Sequence, residues 1–286
     1  MSPRRASRHL REILELDPER DAQRIAYIDT VYEFPFDTTR SLEFALFRTF
    51  GSPAISKLLD STGEFAQRAQ RRYDDTDLIL STIVESGYDS AEGARAIRRM
   101  NRLHGRFEIA NEDFLYVLST FVFEPIRWNE RFGWRRLVEQ ERLACFYFWR
   151  EVGRRMGIKD IPDRFEDLER YNLEYERANF RFAESNRRVA LASREMFLDW
   201  FPGVPKRLGS HAIAALMDER LRNALGFPHP PRALVRAVEG GMRARALAVR
   251  MLPERRKPKL RTQLRHRTYP AGYRIEALGP PPPDVA

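Results

Sequence analysis

Over residues 114–123 the sequence reads Phe-Leu-Tyr-Val-Leu-Ser-Thr-Phe-Val-Phe, and wound into a helix this run is apolar on every side. A helix with no polar face sits at the centre of a bundle, because it has no surface to give to water. The run is far shorter than the roughly 20 apolar residues that cross a bilayer, and Ser119 and Thr120 interrupt it. The rest of the chain must therefore supply a shell of amphipathic helices around one buried helix.

Its punctuation supplies them. Ser52 followed by Pro53 reads as an N-cap with proline in the first turn, opening a helix over 52–72. A shorter helix over 75–86 is closed by Gly87, Ser90 caps one over 90–107, and Asn111 caps one over 112–132 that Pro125 is expected to kink. Helices over 139–156, closed by Gly157, and over 162–181, 184–201, 210–225 and 232–251 complete the set. No run alternates as a strand does and no two segments repeat one another, so the expected fold is all-α, a single helical bundle. It divides into an N-terminal helical extension (1–34), a main helical domain (35–251) and a basic, proline-rich C-terminal arm (252–286). The arm cannot bury much of itself and is expected to be extended, docked through Tyr269, Tyr273 and Ile275.

The 286 residues are 43% hydrophobic, enough to fill one large core. A single cysteine, Cys145, excludes a disulfide framework, a CxxC redox pair, a multi-cysteine zinc site and covalent haem attachment. Any metal is left to histidine or carboxylate ligands. No apolar segment reaches transmembrane length and the charged opening stretch lacks the apolar core of a secretory signal, so the expected compartment is the cytoplasm. Residues 243–267 carry the whole net charge of +9, with ten bases against Glu254, while the remainder holds forty bases and forty acids. Such a tail suits reversible, peripheral contact with an anionic membrane. Nucleic acid is not expected, since no recognition motif is interleaved with the charge.

Three polar residues interrupt apolar faces. At about 100° per residue, the helix opened by Ser90 sets Gly93, Ala96, Ile97, Met100, Leu103 and Phe107 on the side of His104, with Arg95, Arg98, Arg99 and Arg102 opposite. Two readings of that ring are open: a core histidine bonded to a carbonyl, or an axial ligand to haem iron on an apolar wall, with Gly93, Ala96 and Gly105 leaving room for the macrocycle. Thr62 projects into a face made by Ile55, Leu58, Leu59, Phe65, Ala66 and Ala69, either bonding its own backbone or reaching a ligand or bound oxygen, with Ser61 at the edge and Lys57 pointing away. Glu43, beside Leu46, Phe47 and Phe50, is either a rim carboxylate paired with an arginine or a general base whose pKa burial has raised. His104 and Glu108 form the one His/Glu pair at helical spacing, too little for a di-iron site. No GxGxxG, Walker A, GxSxG or HExxH motif occurs, and Asp74, Asp75 and Asp77 read as a solvated loop and helix start.

The runs Arg98-Arg-Met-Asn-Arg-Leu-His104-Gly-Arg-Phe, Lys57-Leu-Leu-Asp-Ser-Thr62-Gly-Glu-Phe and Phe146-Tyr-Phe-Trp-Arg-Glu-Val-Gly-Arg-Arg-Met-Gly157 resemble the MpaB-type oxygenases, relatives of the latex-clearing protein (rubber oxygenase). The resemblance covers about residues 35–240, and Tyr269-Pro-Ala-Gly-Tyr-Arg-Ile-Glu resembles the terminal arm of bacterial members. It implies a globin-like helical core around non-covalent haem b, with the H-x-R motif falling on His104, as axial iron ligand, and Arg106. It also implies distal groups: an arginine four residues before a threonine, a lysine next to that threonine, and an upstream glutamate acting as base. We place the threonine at Thr62, its partner at Lys57 and the base at Glu43; position 58 is leucine and position 61 is serine, so the arginine and the adjacent lysine are not met there.

The leading expectation is a haem b-dependent oxygenase that uses dioxygen on a carbon-carbon double bond of an apolar, isoprenoid-like small molecule. A non-catalytic haem- or lipid-binding protein would keep His104 and its pocket without the distal groups. A helical nucleic-acid or partner-binding protein would act through the basic tail alone.

Overall fold

The computed structural model describes residues 7–280, in which the regular elements are helical. In chain order they are α1 (Arg8–Glu15), α2 (Ala22–Ile28) continued by a π-turn (Asp29–Glu33), α3 (Pro35–Thr49), α4 (Pro53–Ser61), α5 (Glu64–Ser86) and α6 (Ala91–His104). They continue with α7 (Asn111–Phe132), α8 (Glu139–Met156), α9 (Phe165–Asn179), α10 (Glu184–Leu198), α11 (Lys206–Leu216), α12 (Glu219–Leu225) and α13 (Arg232–Met251), before two 3₁₀ turns in the arm (Arg261–Gln263 and Ile275–Ala277).

The apolar run lies in α7, which packs against α3, α8, α9 and α13. Its two polar residues are satisfied within the helix, Ser119 donating to the Tyr116 carbonyl at 2.6 Å and Thr120 to that of Val117 at 2.7 Å. Pro125 has no N–H to give to the carbonyl of Phe121. The lone thiol, on α8, points there instead, with Cys145 Sγ 3.7 Å from that oxygen, and α7 runs unbroken through the proline.

One core joins α5, α6, α7 and α8 through Leu78, Ile83, Ala96, Ile97, Val122 and Phe148. A second, on the other side of α3, gathers Phe47, Phe50, Phe65, Phe197, Leu225 and Phe227. Ile13, Ile25 and Ile28 of the N-terminal helices close on Ala144 of α8. Arg48 sits between the α3, α7, α9 and α12 regions, with ion pairs to Glu124 (2.6 Å), Glu176 (3.0 Å) and Asp218 (2.5 Å).

Two of the expected helices are each divided in the structure. The helix over 52–72 breaks at Gly63, whose φ of 68° is left-handed and closed to most side chains. Beyond the break there is no loop and no new start near residue 75 but a single α5, bent at Arg68, in which Asp74 and Asp75 are buried. The helix over 210–225 is likewise two, because Asp218 caps a fresh start by accepting from the Leu221 N–H at 2.9 Å.

The buried acids of α5 are explained by the arm. Asp74 accepts from the Thr268 N–H (2.9 Å), Asp75 from the Tyr269 hydroxyl, Asp77 from the Arg261 guanidinium, and Glu85 from the Arg261 N–H (2.5 Å). Ile275 and Leu278 enter the first core, and Arg99 of α6 donates to the Leu278 carbonyl at 2.7 Å. At Gly279 the φ is 92° and a Cβ would lie 2.7 Å from Leu103, so only glycine passes that close to α6. The charged stretch 243–267 is thus not one free tail: its first third finishes α13, Arg245 pairs with Asp37 at 2.6 Å, and Arg261 is clasped by Asp77. Of the proline run, Pro281, Pro282 and Pro283 lie outside the described residues, as does the opening Met1-Ser-Pro-Arg-Arg.

Candidate functional site

Ser90 opens α6 by accepting from the Gly93 N–H at 2.9 Å, and the helix ends on His104, with the Phe107 N–H closing onto the His104 carbonyl. The imidazole stands edge-on to Phe114 of α7, ring centres 5.3 Å apart. Its Nδ1 is buried with no hydrogen-bond partner. Burial, with a smaller contribution from the positive charge of Arg72, lowers its pKa to about 4, so the ring is neutral at physiological pH. An unpartnered buried nitrogen costs about 1–3 kcal/mol, and among the described residues the Nδ1 of His9 is in the same position.

On α5, close enough for its charge to act on the imidazole, is Arg72, which the sequence patterns did not single out. Arg72 donates to the hydroxyl of Thr76 one turn further on, and its guanidinium stacks over the Phe65 ring, 5.6 Å from the centre. Burial lowers the pKa of this arginine while Asp75 and Glu64 oppose the shift. The arginine-x-x-x-threonine spacing implied by the resemblance is met here, at 72 and 76, where 58 and 62 do not meet it.

The other candidates lie elsewhere. The Thr62 hydroxyl donates to the Leu59 carbonyl at 2.7 Å and accepts from the Glu64 N–H at 3.3 Å, closing the break between α4 and α5; Ser61 and Lys57 are exposed. Ala66, expected on the apolar face with Thr62, is exposed because the break turns it outward. Arg106 is exposed just past the end of α6, its guanidinium reaching the Pro280 carbonyl at 3.5 Å. Glu43 is buried on α3, bonded to Arg40 at 2.6 Å and accepting from Tyr73 of α5 at 2.9 Å. Burial, opposed by Arg40 and Tyr73, raises its carboxyl to about 7. Among the described residues none of Lys57, Thr62, Glu43 and Arg106 makes a hydrogen bond, ion pair or ring contact with His104. Gly93 does not leave room for a macrocycle: a Cβ there would overlap the Gly87 carbonyl, so this glycine serves the close turn between α5 and α6.

Residues 45–251 match the family described as ER-bound oxygenase mpaB/B'/rubber oxygenase, catalytic domain. The chain belongs to this family. Relatives within it include the ER-bound oxygenase mpaB' of Penicillium brevicompactum, 32% identical over 69% of this chain and 51% of its own length. The ER-bound oxygenases mpaB of Penicillium roqueforti (strain FM164) and Penicillium brevicompactum are each 31% identical, over 68% and 72% of this chain and 71% and 57% of their own lengths. The chain thus spans about half the length of the first of these relatives. The mpaB/rubber oxygenase domain found here takes in α4 to α13, including both helices that meet at His104.

A haem fits the residues present. The fit rests on the His104 imidazole, which is neutral at physiological pH and whose Nδ1 has no protein partner.

Proposed function

We propose that this chain is a haem b-dependent oxygenase that uses dioxygen on a carbon-carbon double bond of an apolar, isoprenoid-like substrate, and that it works in the cytoplasm. The observation that carries the reading is His104: neutral, half-buried, unpartnered at a buried Nδ1, and under the charge of a guanidinium held on a hydroxyl. Haem bound there would supply an iron that binds and activates dioxygen.

The protein's own residues do the rest. A neutral His104 offers its lone pair without first losing a proton. Phe114 and Phe65 flank the imidazole and the guanidinium with apolar rings that exclude water and strengthen the electrostatics between them. Arg72, fixed by Thr76, is a pre-oriented cation for negative charge that develops on oxygen. Burial pushes the Glu43 carboxyl up to about 7, so it can hold or release a proton at Oε2 while Oε1 accepts from Arg40 and from Tyr73 of α5. Among the described residues no helix is long and apolar enough to cross a membrane, whereas the relatives carry the words ER-bound in their names.

The test is the absorption spectrum and pyridine haemochrome of full-length protein made with haem available, for wild type and His104→Ala. We expect a Soret band and close to one haem b per wild-type chain, with most of it lost in the variant. Full occupancy in His104→Ala overturns the assignment.

A further inference from the structure

Helix α13 is built inside out. Its inward side, marked by the buried Ala246 and the half-buried Val235, Met242 and Val249, meets α11 and α7, as an amphipathic helix should. At about 100° per residue, the side turned to solvent is also apolar: Ala237, Ala244, Leu247, Ala248 and Met251 fall on one stripe and are all exposed. Leu247 is 62% exposed, Met251 73% and Leu252, just past the helix, 58%. Along one border of the stripe run Arg232, Arg236, Arg243 and Arg250, all exposed, and of these Arg243 is held by Glu239. The chain then adds Arg255, Arg256 and Lys257, also exposed. The segment leading into α11, the helix packed beside α13, exposes Phe201 (53%) and Val204 (41%), and the first turn of α11 exposes Leu208 (49%).

We propose that the outward face of α13, with the basic chain that comes after it, docks the protein peripherally on an anionic lipid bilayer. An apolar stripe bordered by arginines is the pattern of a helix lying in the plane of a membrane surface, side chains such as leucine and methionine entering the acyl boundary and bases meeting lipid phosphates. Charge separates this occupant from others. A second copy of the chain would bring another arginine row against the first, and a nucleic acid would neutralise the arginines while leaving Leu247, Met251 and Leu252 in water. An anionic bilayer serves both halves of the face. This docking does not depend on the reading of His104, because it involves no residue of that site.

Full-length protein is to be sedimented with vesicles of phosphatidylcholine alone and of phosphatidylcholine with 30% phosphatidylserine, a composition chosen to be strongly but not wholly anionic (about 30 mol% charge). We expect at least about tenfold stronger partition to the anionic vesicles, reversed by salt. Leu247→Glu with Met251→Glu should lower that partition about tenfold or more while leaving the melting temperature within a degree or two, since both side chains are exposed. Arg236→Glu with Arg250→Glu should abolish the preference for anionic lipid. Equal binding to both vesicles, binding untouched by the Leu247 and Met251 changes, tighter binding to a DNA duplex than to the anionic vesicles, or a dimer in sedimentation velocity that those changes dissolve would each overturn the proposal.

Discussion

The guanidinium of Arg72 lies one turn from Thr76, donates to its hydroxyl, and adds its charge to the burial that keeps His104 unprotonated. Arg72 and His104 come from different helices, α5 and α6, and their meeting defines the site more sharply than any one motif does.

Arg72→Gln and Thr76→Val should leave haem content near that of the wild type and lower oxygen uptake, measured with an isoprenoid oligomer as probe. Losing a pre-oriented cationic donor typically costs a factor of about 10²–10³ in turnover, and the hydroxyl that positions it should cost less. Thr62→Val is the contrast: its hydroxyl serves the backbone at the α4–α5 break, so about 1 kcal/mol of stability should go with turnover unchanged.

In haem-free protein two groups impose opposite pH dependences. The folded pKa of His104 is lowered from 6.5 to about 4, so the unfolded chain binds its proton first, and stability present above pH 6.5 is lost as pH falls toward 4. Glu43 is raised from 4.5 to about 7, so its contribution is greatest below pH 4.5 and is lost as pH rises through 7. Each shift corresponds to at most about 3–4 kcal/mol. Urea titrations across pH 4–8 should show the acid-side slope reduced in His104→Phe and the neutral-side slope reduced in Glu43→Gln.

Arg48→Met should destabilise the fold by about 3–5 kcal/mol, because it strands Glu124, Glu176 and Asp218 without their shared cation. The midpoint of urea unfolding reads this directly. Arg48→Lys should recover only part of the loss, since an ammonium cannot reproduce the planar, forked reach of the guanidinium.

Leu278→Ala should cost about 2–5 kcal/mol, as that side chain is fully buried against α6 although it belongs to the arm. Hydrogen exchange should rise first in α5 and α6. Loss of protection confined to residues 252–280 would show that the arm is only a passenger.

Much of this architecture is legible in the residues. Gly157 ends α8 with a φ of 79°, Ser90 starts α6, and the all-apolar run fixes α7 at the centre, each through a local rule of backbone or burial. Tyr269 and Ile275 announce the docking of the arm by being apolar in a segment unable to bury itself. Gly63 is invisible as a break because Phe65 and Ala69 continue the apolar phase of α4 past it. Asp74 and Asp75 look solvated for want of the partners, Thr268 and Tyr269, that the arm brings from far along the chain. Arg72 escapes for a related reason: polar intruders on apolar faces are easiest to see when their side chains are short, while a guanidinium reaches its partners from the edge of a helix.

The ties from Arg261, Thr268 and Leu278 that bind the arm to α5 and α6 join residues at least 176 positions apart. In the order of translation the helices carrying Arg72 and His104 emerge early, with Asp74 and Asp75 held only by Gln70 and Arg71 of their own helix. Their partners from the arm, Thr268 and Tyr269, and the Arg261 that pairs with Asp77 emerge after almost all the rest of the bundle. Closing so long a loop is slow and gains nothing until its last contacts form. Maturation of the His104 pocket is thus deferred behind the folding of the body that surrounds it, and the arm acts in time as the final latch.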